Sequence, residues 1–303
     1  MPRSLLTPLA AFGVAMAWSG SWITGKLALA SAPPLEISAA RFIIAAVVLA
    51  AIAIAARTDL GRGSLWPVVL AGVFGYFAYN ALVFVGLTMA PASDGALIVP
   101  TTIPVLTALA ASFVGERITA TKLVGFALAS IGAAVVILSA QTGDEVSTRR
   151  LVGDVLMLLG AVCWAVYTVL GTIALRTRSP LAIVTIAAPV GAALLIPLGF
   201  LENGYADVPS WTIAVWLNVL YLALAGSVAS FIVFYWVVRR VGAGVAAMTS
   251  YLVPVLTLAM AVALLGDRPQ PLQLVGGVVI LAGVRLATWR LAGGSQPIPE
   301  GAA

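Results

Sequence analysis

Polar residues in this chain fall in short clusters, and the stretches between them are apolar for about twenty residues at a time. Ten such runs can be traced, at approximately 5 to 29, 35 to 56, 66 to 88, 94 to 114, 120 to 140, 152 to 175, 181 to 201, 211 to 238, 244 to 265 and 271 to 290. A helix needs about 20 residues to cross a hydrocarbon core, so each run is close to the required length. The runs are continuously apolar, with Ala, Leu and Gly prominent, and lack the alternation of a membrane barrel strand. The pattern predicts an all-α polytopic membrane protein with ten transmembrane helices. The first run follows Arg3 as a signal peptide would, but it is long, carries two tryptophans and has a counterpart in the sixth run. It is therefore expected to be a retained helix.

The runs repeat. "PVLTALAASFVGER" from Pro104 is answered by "PVLTLAMAVALLGDR" from Pro254, and "LVGFALASIGAAVV" from Leu123 by "LVGGVVILAGVRLA" from Leu274. Gly125 and Gly132 fall on Gly276 and Gly283, while Trp18, Gly25 and Pro34 fall on Trp164, Gly171 and Pro180. A period of roughly half the chain is far longer than a solenoid unit. The expected organisation is a first five-helix repeat over 1 to 140, a connecting loop over 141 to 150, a second repeat over 151 to 291 and a tail over 292 to 303. A repeat with an odd number of spans must enter the membrane from the opposite side to its twin. Inverted repeats around a central cavity are a device of secondary transporters, because one architecture then supplies an opening to each face.

Composition agrees, with 62% hydrophobic and 9% charged residues, where a soluble domain carries about a quarter charged. The basic residues also order the topology. With the N-terminus cytoplasmic, the inner side collects ten: Arg3, Arg57, Arg62, Arg117, Lys122, Arg176, Arg178, Arg239, Arg240 and Arg290. The outer side collects four, Lys26, Arg149, Arg150 and Arg268. Both termini are thus expected in the cytoplasm. Topology accounts for the net charge of +5, so the partners are the lipid bilayer and a small-molecule substrate, with no nucleic acid and no required protein partner.

The paired "PVLT...GER" and "PVLT...GDR" segments, the glycine-bearing helix after each, and Trp18 and Trp164 in the first helix of each half carry a family resemblance. In these features the chain resembles the EamA-type ten-helix transporters of the drug/metabolite transporter superfamily, and is most similar to amino acid exporters of the YddG kind. The resemblance covers both halves. It implies a bacterial inner-membrane exporter of small metabolites, with eight helices around the cavity and two behind it.

Candidate site residues are those that lipid would penalise. Trp66, Trp211, Trp236 and Trp289 stand near span ends, where an indole meets the headgroups. Trp18 and Trp164 stand near mid-span and need a partner or a cavity; helix packing is the alternative reading. Trp22 lies one turn beyond Trp18, and Tyr167 and Thr168 one turn beyond Trp164. In the third span, "GYFAYN" puts Tyr76, Tyr79 and Asn80 near mid-membrane. Ser227 and Ser230 occupy a similar depth in the eighth span, where small hydroxyls also serve as packing glue. Pro100 and Pro104 break the fourth span beside Thr101, and Pro254 breaks the ninth after Thr249, Ser250 and Tyr251. Interrupted helices at corresponding places in two repeats are a pointer to a transporter's site. The substrate-binding set expected from sequence is Trp18, Trp22, Tyr76, Tyr79, Asn80, Thr101, Trp164, Tyr167, Ser230 and Tyr251, with helix breaks at Pro100, Pro104 and Pro254. The fifth and tenth spans carry small-residue faces and are expected to brace this core.

Asp94 and Asp154 open helices and suit capping. Glu36 and Arg41 in the second span leave an ion pair and an outer gate both open, with Lys26 near the outer end of the first, and Arg285 can snorkel. The chain has no histidine and no carboxylate within the aromatic cluster, which argues against a protonatable relay and for exchange or facilitated diffusion. Intramembrane catalysis finds no support, with a lone Cys163 suited to packing, no acid pair, and no metal or cofactor implied. Trp, Tyr, Asn, Thr and Ser around exposed backbone suit a small zwitterion such as an aromatic or apolar amino acid. Amphipathic drugs and nucleosides are alternatives, and sugar nucleotides fit less well for want of a mid-span Lys or Arg.

Overall fold

A computed structural model describes residues 3–90, 92–115, 119–138, 147–265 and 271–288. Residues 141–146, the tail 292–303 and Trp289 lie outside them. Among the described residues ten helical segments follow the ten apolar runs, and there is no strand. They are α1 (Arg3–Leu29), α2 (Pro34–Ala55), α3 (Trp66–Met89), α4 (Ala92–Ser112), α5 (Ala120–Leu138), α6 (Thr148–Ala174), α7 (Pro180–Asn203), α8 (Ile213–Val241), α9 (Ala243–Ala247, resumed at Thr249–Leu265) and α10 (Pro271–Thr288). Seven are long and apolar enough to cross a membrane on their own; the apolar parts of α4, α5 and α10 are shorter. Large side chains such as Val47, Ile54 and Phe113 are exposed on the outside of the bundle, which suits a lipid solvent and not water.

Local chemistry sets the helix starts. Pro34 and Pro180 open α2 and α7 in the first turn, where a missing N–H costs nothing. Ser179 caps α7 by accepting from Ala182 N–H at 3.1 Å. α2 has no cap of its own; Glu202, at the far end of α7, accepts from Leu35 and Glu36 N–H at 2.8 and 3.2 Å. Ser147 caps α6, so α6 begins inside the stretch read as a loop. Asp154, expected to cap, sits inside the helix instead. Asp94 lies in the first turn of α4 and takes Arg150 Nε at 2.6 Å and Nη2 at 2.9 Å, a two-point ion pair that ties α4 to α6.

Packing follows the duplication. α3 lies on α6 as α8 lies on α1; α4 lies on α6 as α9 lies on α1; α3 meets α7 as α8 meets α2. Each of these contacts has a mate under exchange of the two repeats. Three further contacts, α2 on α7, α4 on α9 and α5 on α10, pair an element with its own counterpart. The arrangement is two five-helix repeats related by a pseudo-twofold axis, with α3, α4 and α6 forming one group and α8, α9 and α1 the other.

The α5–α10 pair is the tightest of these. A Cβ on Gly132 would lie 2.6 Å from Ile280 N and 2.7 Å from Gly276 O, and one on Gly283 would lie 2.5 Å from Ala129 N and 2.7 Å from Gly125 O. Only hydrogen at these positions lets the two backbones touch, which is the use of small residues between helices in lipid.

α3 and α8 share a second irregularity. Each contains a π-helical stretch, Gly72–Ala78 in α3 and Leu224–Ala229 in α8, ending at residues with the same separation as Leu123 and Leu274. A π-bulge shifts carbonyls off the regular ladder and is frequent at functional sites. The freed carbonyls are met by side chains: Asn80 Nδ2 donates to Gly75 O and Tyr76 O at 3.1 and 3.0 Å, and Ser227 Oγ donates to Leu222 O at 3.0 Å.

Candidate functional site

The two mid-span tryptophans meet. Trp18 of α1 and Trp164 of α6 stand edge to face with ring centroids 5.2 Å apart and planes at 88°, a geometry the ring quadrupoles favour. Tyr79 lies 4.8 Å from Trp164, and Phe234 5.3 Å from Trp18. The two indoles are not equivalent in their surroundings. Trp18 Nε1 donates to Ser230 Oγ at 3.2 Å, whereas Trp164 is buried and its Nε1 has no partner among the described residues.

Trp18, Tyr79 and Trp164 wall a cavity of about 520 Å³, within the range of small-molecule sites. Of the residues expected from sequence, Trp18, Trp22, Tyr79, Asn80, Trp164 and Pro100 line it. Ser250 and Val253 line it from α9. Ser250 is the residue whose carbonyl Pro254 frees, as Pro104 frees that of Pro100.

The remaining predicted residues lie elsewhere. Tyr76 and Tyr167 are fully buried beyond the cavity. They pack with Phe231 at centroid distances of 5.1 and 5.9 Å, and Tyr167 packs on Tyr235 at 5.0 Å. Ser230 acts through Trp18 and does not line the space. Tyr251 is fully buried between α5 and α9, its hydroxyl 2.8 Å from Ser130 Oγ and donating to Phe126 O at 3.3 Å. Thr101 opens onto a separate recess with Thr102 and Ser130.

The cavity has a mouth and a floor. Along α3 the lining runs from Ala90 through Leu87 and Val83 to Asn80 and stops before Tyr76. Along α1 it runs from Ala30 to Trp18, and along α6 it stops at Trp164. The open end is therefore at the α1–α2 and α3–α4 connections. The closed end is the aromatic block of Tyr76, Tyr167, Phe231, Phe234 and Tyr235.

The residue that pattern reading did not place here is Arg41. It lines the cavity and is buried. Its Nε donates to Ser227 Oγ at 2.7 Å, one Nη to Asn80 Oδ1 at 3.3 Å and the other to Gly226 O at 3.3 Å. It thus bridges the two π-bulges, with its guanidinium carbon 4.9 Å from the Phe42 ring centroid. Among the described residues Arg41 forms no ion pair with Glu36. Glu36 accepts from Tyr205 N–H at 2.7 Å, and no carboxylate among the described residues lies within ion-pair distance of Arg41. Lys26 also lines the cavity. The sequence offers no mid-span Lys or Arg, but α2 enters beside α3 and α8, so Arg41, in the outer half of its span, reaches the central space.

The family model for "EamA-like transporter family" matches residues 5–138 and again 151–289. The chain belongs to the EamA-like transporter family. As an EamA-like transporter it is a multi-pass membrane protein and not an enzyme. It is 31% identical to an uncharacterized transporter of Archaeoglobus fulgidus, over 89% of this chain and 93% of that one. It is 30% identical to a probable terminal-alkyne amino-acid exporter of Streptantibioticus cattleyicolor, over 91% of each. It is 28% identical to a probable amino-acid metabolite efflux pump of Salmonella typhimurium, over 89% of this chain and 91% of that one. A solved crystal structure at 23% identity superimposes with a TM-score of 0.80, over 95% of this chain and 99% of its own, and shares the fold.

Proposed function

We propose that this EamA-like transporter exports small zwitterionic metabolites, foremost amino acids with aromatic or apolar side chains, across a bacterial inner membrane by alternating access. The observation that carries the reading is the cavity itself, in which Trp18, Trp22, Tyr79 and Trp164 offer stacking faces while Ser250 offers a hydroxyl. Two relatives, one named a probable terminal-alkyne amino-acid exporter and the other a probable amino-acid metabolite efflux pump, support it. The α3, α4, α6 group and the α1, α8, α9 group are the bodies that would rock against each other, exchanging mouth and floor. With both termini cytoplasmic, as the basic residues suggest, the present mouth faces outward. Transport is expected to run down the substrate gradient.

The test is counterflow into proteoliposomes loaded with a panel of amino acids, nucleosides, sugars and dyes. Phenylalanine, tryptophan or leucine should exchange without an imposed proton or sodium gradient and stop at equal concentrations. Exchange of dyes or nucleosides alone would overturn the substrate class, and strict ion dependence with accumulation would overturn the coupling. Single-cysteine labelling in a Cys163→Ser background should place residues 57 to 65 inside and 141 to 150 outside.

A further inference from the structure

We propose that Arg41 is the specificity-determining residue of this cavity. On this view the transporter recognises its substrate by a free carboxylate and has no requirement for an ammonium group. The inference rests on the amino acid reading above and deepens it by naming the group that is recognised.

A guanidinium has five N–H donors. Arg41 directs three of them at Ser227 Oγ, Asn80 Oδ1 and Gly226 O, none of which carries charge. A buried cation without a counter-charge is unfavourable unless an anion joins it. No Asp or Glu among the described residues lines the cavity. Arg41 lines the cavity with two N–H donors not committed to these three bonds, beside the rings of Trp18, Tyr79 and Trp164, and a planar carboxylate can meet a guanidinium with paired hydrogen bonds. Lys26, exposed at the mouth, adds positive potential along the entry path.

The same inventory leaves an ammonium group poorly served. A cation entering this cavity would meet Arg41 and Lys26 and could offset them only with neutral oxygens and ring faces. The stacking walls accept a side chain whatever the substrate's amine does. A monocarboxylate with an aryl or branched alkyl tail, and the 2-oxo acid related to an amino acid by loss of its amine, therefore belong to the substrate class. Amines and amino acid amides do not.

The two repeats explain why one anion site exists and not two. Arg41 stands seven residues after Pro34, and the residue seven after Pro180 is Ala187, which is buried in the α3–α7 contact. The scaffold is duplicated and the charge is not. A substrate carboxylate is thereby held on the α2 side of the axis, and the tail lies across the Trp18–Trp164 pair.

The experiment is competition against initial-rate uptake of labelled L-phenylalanine in proteoliposomes. The competitors are 3-phenylpropionate, L-phenylalaninamide and 2-phenylethylamine. The propionate should compete within about threefold of unlabelled phenylalanine, and the amide and the amine should be weaker by roughly tenfold or more. Arg41→Gln should lower phenylalanine uptake by roughly tenfold or more and abolish the preference for the acid over the amide; Arg41→Lys should keep the preference at reduced rate. A purely structural Arg41 would change the rate and leave the ranking intact, and that result would overturn the proposal. So would an amide or amine that competes as well as phenylalanine. Should Arg41→Gln fail to fold, the wild-type ranking alone decides. If phenylalanine is not transported at all, the amino acid reading fails while this one stays testable, by binding of the propionate and the amine to purified protein read from intrinsic tryptophan fluorescence. Equal binding of the two, or binding of neither, would overturn it.

Discussion

Two regions of the molecule bring counterpart elements of the repeats together, and they do so in opposite ways. Where α5 meets α10, Gly125, Gly132, Gly276 and Gly283 place backbone against backbone, and the contact is nearly identical when the repeats are exchanged. Around the cavity the mates differ: Trp18 has a hydroxyl partner and Trp164 has none among the described residues, and, counted from Pro34 and Pro180, Arg41 of α2 falls on Ala187 of α7. Symmetry retained gives a brace with no room for a ligand. Symmetry broken in side chains, over a backbone that still obeys it, gives a cavity lined by one buried guanidinium and several aromatic rings.

The largest expected effect lies at the brace. Gly132→Leu or Gly283→Leu would push a branched side chain into backbone that already stands 2.5 to 2.7 Å from where a Cβ would sit. Loss of monodisperse protein on size exclusion is expected, since overpacking costs ~1–3 kcal/mol even where the surroundings can yield. A folded, transporting Gly132→Leu protein would show that α5 and α10 are not a brace.

Substitutions at the cavity should act on transport more than on folding. Tyr79→Ala and Trp18→Ala remove stacking faces worth ~0.5–1.5 kcal/mol beyond area burial, a few-fold to tenfold in apparent affinity. Trp164→Ala should lose stability as well, because Trp164 is only 3% exposed and packs on the rings of Trp18, Tyr79, Tyr167, Phe231 and Phe234. Thermal unfolding of the three variants should set Trp164→Ala apart.

A smaller effect sharpens the asymmetry. Ser230→Ala removes the acceptor of the Trp18 N–H and should cost about 1 kcal/mol of stability, with transport reduced only slightly. A loss of transport as large as that of Trp18→Ala would mean that Ser230 touches the substrate directly.

Much of this was legible in the sequence. The ten apolar runs, their duplication and the pairing of Trp18 with Trp164 follow from period and spacing, which are properties of the chain alone. Tyr76, Tyr167 and Tyr251 were grouped with the site because depth in the membrane is readable from sequence, whereas the direction of a side chain around its helix depends on which neighbours it packs against. Arg41 was ambiguous for the same reason. Glu36 lies five residues away, neither one turn nor a clear miss, and the partners that fix Arg41 come from α3 and α8, the latter distant in sequence. The π-bulges left no signal in hydrophobic periodicity, since one extra residue in a uniformly apolar helix does not alter its polarity pattern. Asp94 was read as a cap because its ion-pair partner, Arg150, lies in the other repeat.

The central claim is that the space between the tryptophans is where substrate binds during transport. Its most direct measurement is the KM and maximal rate of L-phenylalanine uptake by Trp18→Ala and Trp66→Ala proteoliposomes, matched for inserted protein. Trp66 is exposed at 52% at the start of α3 and serves as the control tryptophan. The account predicts a KM raised a few-fold to tenfold in Trp18→Ala and kinetics close to wild type in Trp66→Ala. Unchanged kinetics in Trp18→Ala, with transport lost in Trp66→Ala, would contradict it and place the binding site outside this cavity.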